Sequence, residues 1–252
     1  MRLPLDSNET AATWKALARS YEAARTRPDS FDVLMEFPAQ LSLIGDVAGK
    51  RILDLACGSG AKAIHLAHQG AREVVGVDVS ETFVSDLARL EPPPTTRFLR
   101  GDISRLDEIE GLSGRFDVVL LLNALGYAND ELATLRAIRA LTEDDGAFIL
   151  ARAHPLRFAV ERSESTGVEL GAAYHDRSPF SYTSNWDGKT TLTHRAATFG
   201  DTFNRLVEAG FWVECVLEPT LTEEQRRQFP HKAAWIDRYA GTLIVRAHPR
   251  VG

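Results

Sequence analysis

The chain has 252 residues, 44% hydrophobic and 25% charged, an ordinary globular composition with enough length to bury one core without metal or disulfide staples. Its two cysteines, Cys57 and Cys215, stand far apart with no CxxC spacing, so neither a disulfide framework nor a zinc site is expected and a reducing compartment is. A formal net charge of -6 argues against a long basic face for nucleic acid, and no window approaches the roughly 18 uninterrupted apolar residues of a membrane span. With an opening segment that lacks a signal-peptide core, these features lead to the expectation of a cytoplasmic protein with no membrane and no nucleic-acid partner.

From Ser7 to about Arg25 the sequence opens with capping residues and sets Trp14, Leu17 and Tyr21 at helical spacing. Pro28, Asp29 and Ser30 interrupt it, and a second amphipathic stretch, FDVLMEFPAQLSLIGDV, leads to Gly49. A strand over 51–56 follows, then helix 61–69, strand 73–77, helix 81–90, strand 97–99, a short helix near Leu106, strand 116–122, helix 130–141 and strand 147–151. EPPP at 91–94, SGR before Phe116 and EDDG before Ala147 act as turn signals. Runs such as VVLLL and FILA are apolar on both faces, as a parallel sheet covered by helices on each side requires. Residues 152–200 break the alternation and are read as a cap inserted after the fifth strand. Helix 201–209 with Gly210 as its C-cap, strand 211–217, a polar excursion and a last strand over 242–247 complete the chain. The expectation is one domain of doubly wound α/β type: a helical leader (1–48), a sheet core (49–151), the cap (152–200) and a C-terminal helix with strands (201–252).

The sharpest signal is Ile52-Leu53-Asp54-Leu55-Ala56-Cys57-Gly58-Ser59-Gly60, a strand entering a glycine-rich turn that opens a helix. Such a turn lets backbone approach a ligand at the carboxyl edge of the sheet, and Asp78, at the end of the second strand, is suited to both hydroxyls of a ribose. Gly58 to Ala63 also satisfies the permissive dinucleotide pattern, so a nicotinamide oxidoreductase is an alternative. Three features count against it. Asp54 would repel a pyrophosphate but welcome an ammonium. Asp102, in Gly101-Asp102-Ile103, can accept from an adenine amine. The segment from Asp201 to Ala247 suits a seven-stranded sheet ending in an antiparallel hairpin.

In these motifs the chain resembles the class I S-adenosylmethionine-dependent methyltransferases, over about 51–151 and the last helix and strands. The resemblance implies a Rossmann-like, mostly parallel sheet with an antiparallel last strand, and S-adenosylmethionine as cofactor. Backbone at Ala56, Gly58 and Gly60 would cradle the methionine and ribose, Asp54 would meet the ammonium, Asp78 with Val79 the ribose, Asp102 and Ile103 the adenine, and Asn123 and Ala124 the sulfonium side. The turn Asn123-Ala124-Leu125-Gly126-Tyr127 departs from the Asn/Asp-Pro-Pro-Tyr of base-amine methyltransferases, which disfavours that substrate.

The C-terminal half resembles a small-molecule subset of the family through His154-Pro155, Tyr174, Trp186 and His194-Arg195. His154 first and His194 second are the candidates to take a proton from a hydroxyl or amine acceptor. Tyr21, Tyr127, Tyr174, Trp186 and Arg195 are the candidate substrate contacts, with Trp14 and Tyr21 open to reading as core or as a lid. No metal is expected, and oligomeric state is left open. Competing readings are a non-catalytic S-adenosylmethionine-binding protein and an enzyme that transfers or cyclises the aminocarboxypropyl group.

Overall fold

The computed structural model describes residues 7–87 and 91–251; residues 1–6 and the expected end of the helix over 81–90 lie outside the described residues. Strands β1 (Arg51–Leu55), β2 (Glu73–Asp78), β3 (Thr96–Arg100), β4 (Phe116–Leu122) and β5 (Thr142–Ala153) run parallel. A separate hairpin, β6 (Pro179–Thr183) with β7 (Thr191–Arg195), lies in the insert, and β8 (Phe211–Leu217) and β9 (Thr242–Pro249) complete the main sheet. The seven-stranded order is β3-β2-β1-β4-β5-β9-β8, with β9 antiparallel to both its neighbours. The chain winds outward from β1 to β3 and then returns to β4 beside β1. That reversal opens a crevice at the carboxyl ends of β1 and β4, where sheets of this type bind ligands.

Strand alternation distributes the core between two faces. Leu53, Leu55, Val75, Val77 and Phe116 pack one way, against α5 (Glu131–Leu141) and α8 (Phe199–Glu208). Ile52, Val74, Val118, Leu120 and Ile149 pack the other way, against α2 (Phe37–Ile44) and α3 (Ala61–His68). Asp54, two residues on from Ile52, shares the second face and is only 2% exposed. It is a carboxylate buried at the end of an apolar strand.

The leader forms α1 (Ser7–Arg25), then a single π-helical turn over Asp32–Glu36, then α2 with a proline in its first turn. Helix α4 (Glu81–Leu87) follows β2. The insert carries its own secondary structure: α6 (Pro155–Thr166), α7 (Leu170–His175) and the hairpin. Three local readings change. EDDG is a bulge inside β5 rather than a turn before it: Phe116 pairs with Thr142 and Val118 with Ala147, so the polar residues between are looped out while the strand continues. Helix α8 starts earlier than expected because Thr198 and Asp201 form a reciprocal capping box. The polar excursion is two helices, α9 (Glu223–Gln228) and α10 (Pro230–Tyr239). Among the described residues, no helix is long and apolar enough to cross a membrane.

Gly60, at φ +68°, caps α3 where a Cβ would stand 2.6 Å from Leu87 Cδ2 and 2.7 Å from Phe98 Cε1. Left-handed strain and overpacking therefore add at this position. Gly60→Ala is expected to destabilise the fold by about 2–5 kcal/mol, read as a lowered midpoint in thermal or urea unfolding.

Candidate active site

The crevice is built first from backbone. Two non-glycine residues, Ala56 after β1 and Asn123 after β4, hold left-handed conformations at φ +56° and +61°, flanking the point where strand order reverses. Such strain persists only where surrounding bonds over-determine it. Here the Cys57 amide donates to the Val77 carbonyl at 3.0 Å, and the Asn123 amide to the Ala151 carbonyl at 2.8 Å. The carboxylate of Asp78 completes the turn: Oδ2 accepts from the Gly58 amide at 2.9 Å and Oδ1 from the Ser80 amide at 2.8 Å. Burial pushes the Asp78 carboxyl up, opposed by those two amide bonds.

A cleft of about 690 Å³ opens over this turn. Its wall brings together Ala56, Gly58, Asp78, Val79, Asp102, Ile103, Asn123 and Ala124, with Trp14 and Tyr21 of α1 and Tyr127 above them. A Cβ on Gly58 would meet only Phe83 at 4.0 Å, so the glycine there leaves the floor open to a ligand. Gly60 does not line the cleft; its hydrogen side is filled by Leu87 and Phe98. Asp102 caps the following 3-10 turn through Oδ1, 2.8 Å from the Ser104 amide. Its Oδ2 is buried without a hydrogen-bond partner, and the nearest guanidinium nitrogen, on Arg105, is 3.9 Å away.

An adjoining cavity holds Asp54, Lys62, Arg25 and Asp32, and shares Tyr21, Ala56 and Gly58 with the first. Burial raises the Asp54 carboxyl to about 7; Lys62 opposes the shift and Asp78 adds to it. Asp54 Oδ2 is likewise buried without a hydrogen-bond partner. Two orphaned acceptors, Asp102 on the cleft wall and Asp54 in the adjoining recess, together with the ribose-suited Asp78, fit a nucleoside bearing a cationic amino-acid chain. A bound ammonium would satisfy Asp54 and an adenine amine would satisfy Asp102.

Beside Asp54 runs a buried polar network that sequence reasoning missed. Lys62 Nζ donates to Asp32 at 2.9 Å and to Gln40 at 2.6 Å. Arg25 pairs with Asp32 and reaches Glu36 at 3.4 Å; Glu36 also accepts from the Thr242 hydroxyl at 2.6 Å and faces the Asn123 amide nitrogen at 3.4 Å. The available signal was two carboxylates four apart inside the apolar run FDVLMEF. The π turn presents both toward Arg25, and such turns recur at functional sites.

A third, more polar cavity of about 1500 Å³ lies between the leader and the insert, and shares Trp14, Tyr21, Asn123 and Tyr127 with the cleft. Tyr21 and Trp186 meet edge to face with centroids 4.7 Å apart, Trp14 and Tyr21 at 5.2 Å, and Trp14 and Tyr127 at 5.4 Å. Deeper in, His194 stacks on Phe158 at 4.4 Å, and the Tyr127 and Tyr182 hydroxyls stand 3.4 Å apart. Burial, then the charges of Arg152 and Arg157, lower His194 to about 3, so it is a neutral imidazole; its Nδ1 has no hydrogen-bond partner.

Three residues singled out by sequence lie outside these cavities. His154 caps α6: its Nδ1 accepts from the Leu156 amide at 3.2 Å, which places the ring proton on Nε2, 2.7 Å from Glu218. Arg195 donates to the Ala128 carbonyl and, at 2.7 Å, to that of Asn129, tying β7 to the turn after β4. The Tyr174 hydroxyl accepts from the Phe199 amide at 3.1 Å, at the start of α8.

Residues 52–146 match the family described as a methyltransferase domain. An uncharacterized protein of Haemophilus influenzae is 27% identical over 216 residues, covering 81% of this chain and 84% of that one. A putative methyltransferase of Bacillus subtilis, YqeM, is 29% identical over 170 residues, covering 59% and 67%. Among solved structures, an S-adenosylmethionine dependent methyltransferase from Mesorhizobium loti superposes with a TM-score of 0.67 at 25% identity, over 85% of this chain and 97% of that one. With its seven-stranded order, its glycine turn and the acid at the end of β2, the chain carries a methyltransferase domain over residues 52–146 and has the fold of S-adenosylmethionine-dependent methyltransferases.

Proposed function

We propose that the enzyme methylates a hydroxyl or amine of a small-molecule metabolite. The observation that carries this reading is the third cavity: it joins the cofactor cleft at Tyr21, Trp14, Asn123 and Tyr127, and leader and insert together wall it with rings and paired charges. A recess of this kind suits a compact acceptor rather than a long polymer. The cofactor supplies, when bound, an electrophilic methyl group with a thioether as its leaving group.

The protein's part is to hold and orient. Asp78 and Asp102 fix the nucleoside, Asp54 the ammonium, and the aromatic junction aligns the acceptor with the methyl. Good alignment of this sort is worth up to about 7–11 kcal/mol of barrier. Neutral His194, with Nδ1 unbonded, accepts a hydrogen bond from the acceptor's O–H or N–H, but at about 3 it does not store a proton at neutral pH. In this reading Glu36, on the same cavity wall and beside Asn123, takes that proton. His154, engaged as a helix cap, takes no part in the transfer.

A screen of hydroxylated and amino metabolites with S-adenosylmethionine, read by product mass, tests the proposal. S-adenosylhomocysteine with an acceptor heavier by one methyl group is expected; methylthioadenosine would mean aminocarboxypropyl chemistry, and tight binding without any turnover would mean a sensor. On the acceptor so found, His194→Ala is expected to lose up to roughly 10-fold in kcat/KM, the worth of one hydrogen bond, whereas His154→Ala lowers stability and leaves cofactor affinity in place.

Asp54 gives the pH dependence. With its carboxyl raised to about 7, the anion that pairs with the cofactor's ammonium forms as pH climbs through that value, so affinity for S-adenosylmethionine rises from pH 6 to 8. For stability the sign is opposite. Between about pH 4 and 7 the unfolded chain ionises this carboxyl while the folded chain keeps it protonated, so stability falls as pH rises. Asp54→Asn is therefore expected to bind S-adenosylmethionine more weakly, and its unfolding midpoint is expected to gain on the wild type progressively across that range. Parallel calorimetric titrations and thermal melts at several pH values check both.

A further inference from the structure

We infer that Tyr21 is the residue against which the cofactor's sulfonium rests, and that its ring favours the charged cofactor over the neutral thioether product. The inference rests on the cofactor reading above and adds a residue and a discrimination to it. Tyr21 is the one described residue that lines all three cavities: the cleft of Asp78 and Asp102, the recess of Asp54, and the acceptor cavity. A sulfonium carries three substituents, the adenosyl methylene, the aminocarboxypropyl chain and the methyl group. With the nucleoside held by Asp78 and Asp102, the ammonium by Asp54 and the acceptor in the third cavity, the sulfur belongs where the three spaces meet. That meeting point is Tyr21.

The chemistry of the position agrees. An aromatic face attracts a cation most strongly where water is excluded, and an uncharged thioether gains nothing comparable. The Tyr21 ring already takes part in one such contact, with the Arg25 guanidinium carbon 5.3 Å from its centroid. That guanidinium is also paired with Asp32 and Glu36, which balance its charge. Burial pushes the Tyr21 hydroxyl up to about 12, which keeps it a neutral phenol through the working pH range. Trp14 and Trp186 pack edge to face on it at 5.2 and 4.7 Å and hold the ring in place between leader and insert.

The test is calorimetric titration of the wild type, Tyr21→Phe and Tyr21→Leu with S-adenosylmethionine, S-adenosylhomocysteine and sinefungin, whose amine places a cation near the sulfonium position. Tyr21→Leu is expected to lose roughly 5- to 30-fold in affinity for the two cationic ligands and less than about 3-fold for S-adenosylhomocysteine, with Tyr21→Phe near wild type for all three. Equal losses for charged and neutral ligands would reduce Tyr21 to a packing residue, and unchanged affinities would place the sulfonium elsewhere; either result overturns the inference. Should the leucine variant unfold, Tyr21→Met makes the same comparison with a longer, more adaptable side chain. A wild type that binds neither S-adenosylmethionine nor S-adenosylhomocysteine would overturn the cofactor reading itself, and this inference with it.

Discussion

The site depends first on one carboxylate accepting two backbone amides. Asp78, at the end of β2, takes the Gly58 amide from the turn after β1 and the Ser80 amide from its own turn, and so locks two adjacent strand ends into one platform. The interaction is charge-assisted and buried, which makes it strong if complete and costly if broken. Ala56 holds its left-handed conformation inside that platform, and the glycine floor of the cleft stays open because the turn cannot relax into a more ordinary shape.

Around the platform the molecule brings two segments remote in sequence to the same place. The leader supplies Trp14 and Tyr21, the insert supplies Trp186 and His194, and the turn after β4 supplies Asn123 and Tyr127. Rings make the junction between leader and insert, while charges anchor the leader below it. Arg25 reaches from the end of α1 to Asp32 and Glu36 in the π turn, and Lys62 of α3 closes the network from the sheet side. Buried ions of this kind require complete pairing. The placement of the aromatic roof therefore depends on salt bridges beneath it.

How much of this was legible follows from where each interaction lies along the chain. The alternation of strands and helices, the glycine turn and the acids at the ends of β2 and β3 are local patterns, and residues within a few positions of one another account for them. The bulge in β5 was not readable, because EDDG carries the composition of a turn and only pairing with β4 keeps the strand going across it. Nor was the fate of His154: a histidine before a proline at a helix start caps the helix through Nδ1, and the Glu218 that binds its other nitrogen is 64 positions away. Nor were the backbone bonds of Arg195 and Tyr174, since the atoms they bind belong to other elements.

By itself the sequence determined the doubly wound architecture, the carboxyl edge at which the cleft opens and the residues Asp54, Asp78 and Asp102 near it. These follow from hydrophobic period and from turn chemistry, both short-range properties of the chain. The tertiary structure alone decided which of the distant side chains share a cavity. It made Asp54 a carboxyl near 7 and His194 a base near 3, by taking each out of water. It also set Tyr21 where three cavities meet. Desolvation and the convergence of remote segments are properties of the packed molecule, and no local pattern encodes them.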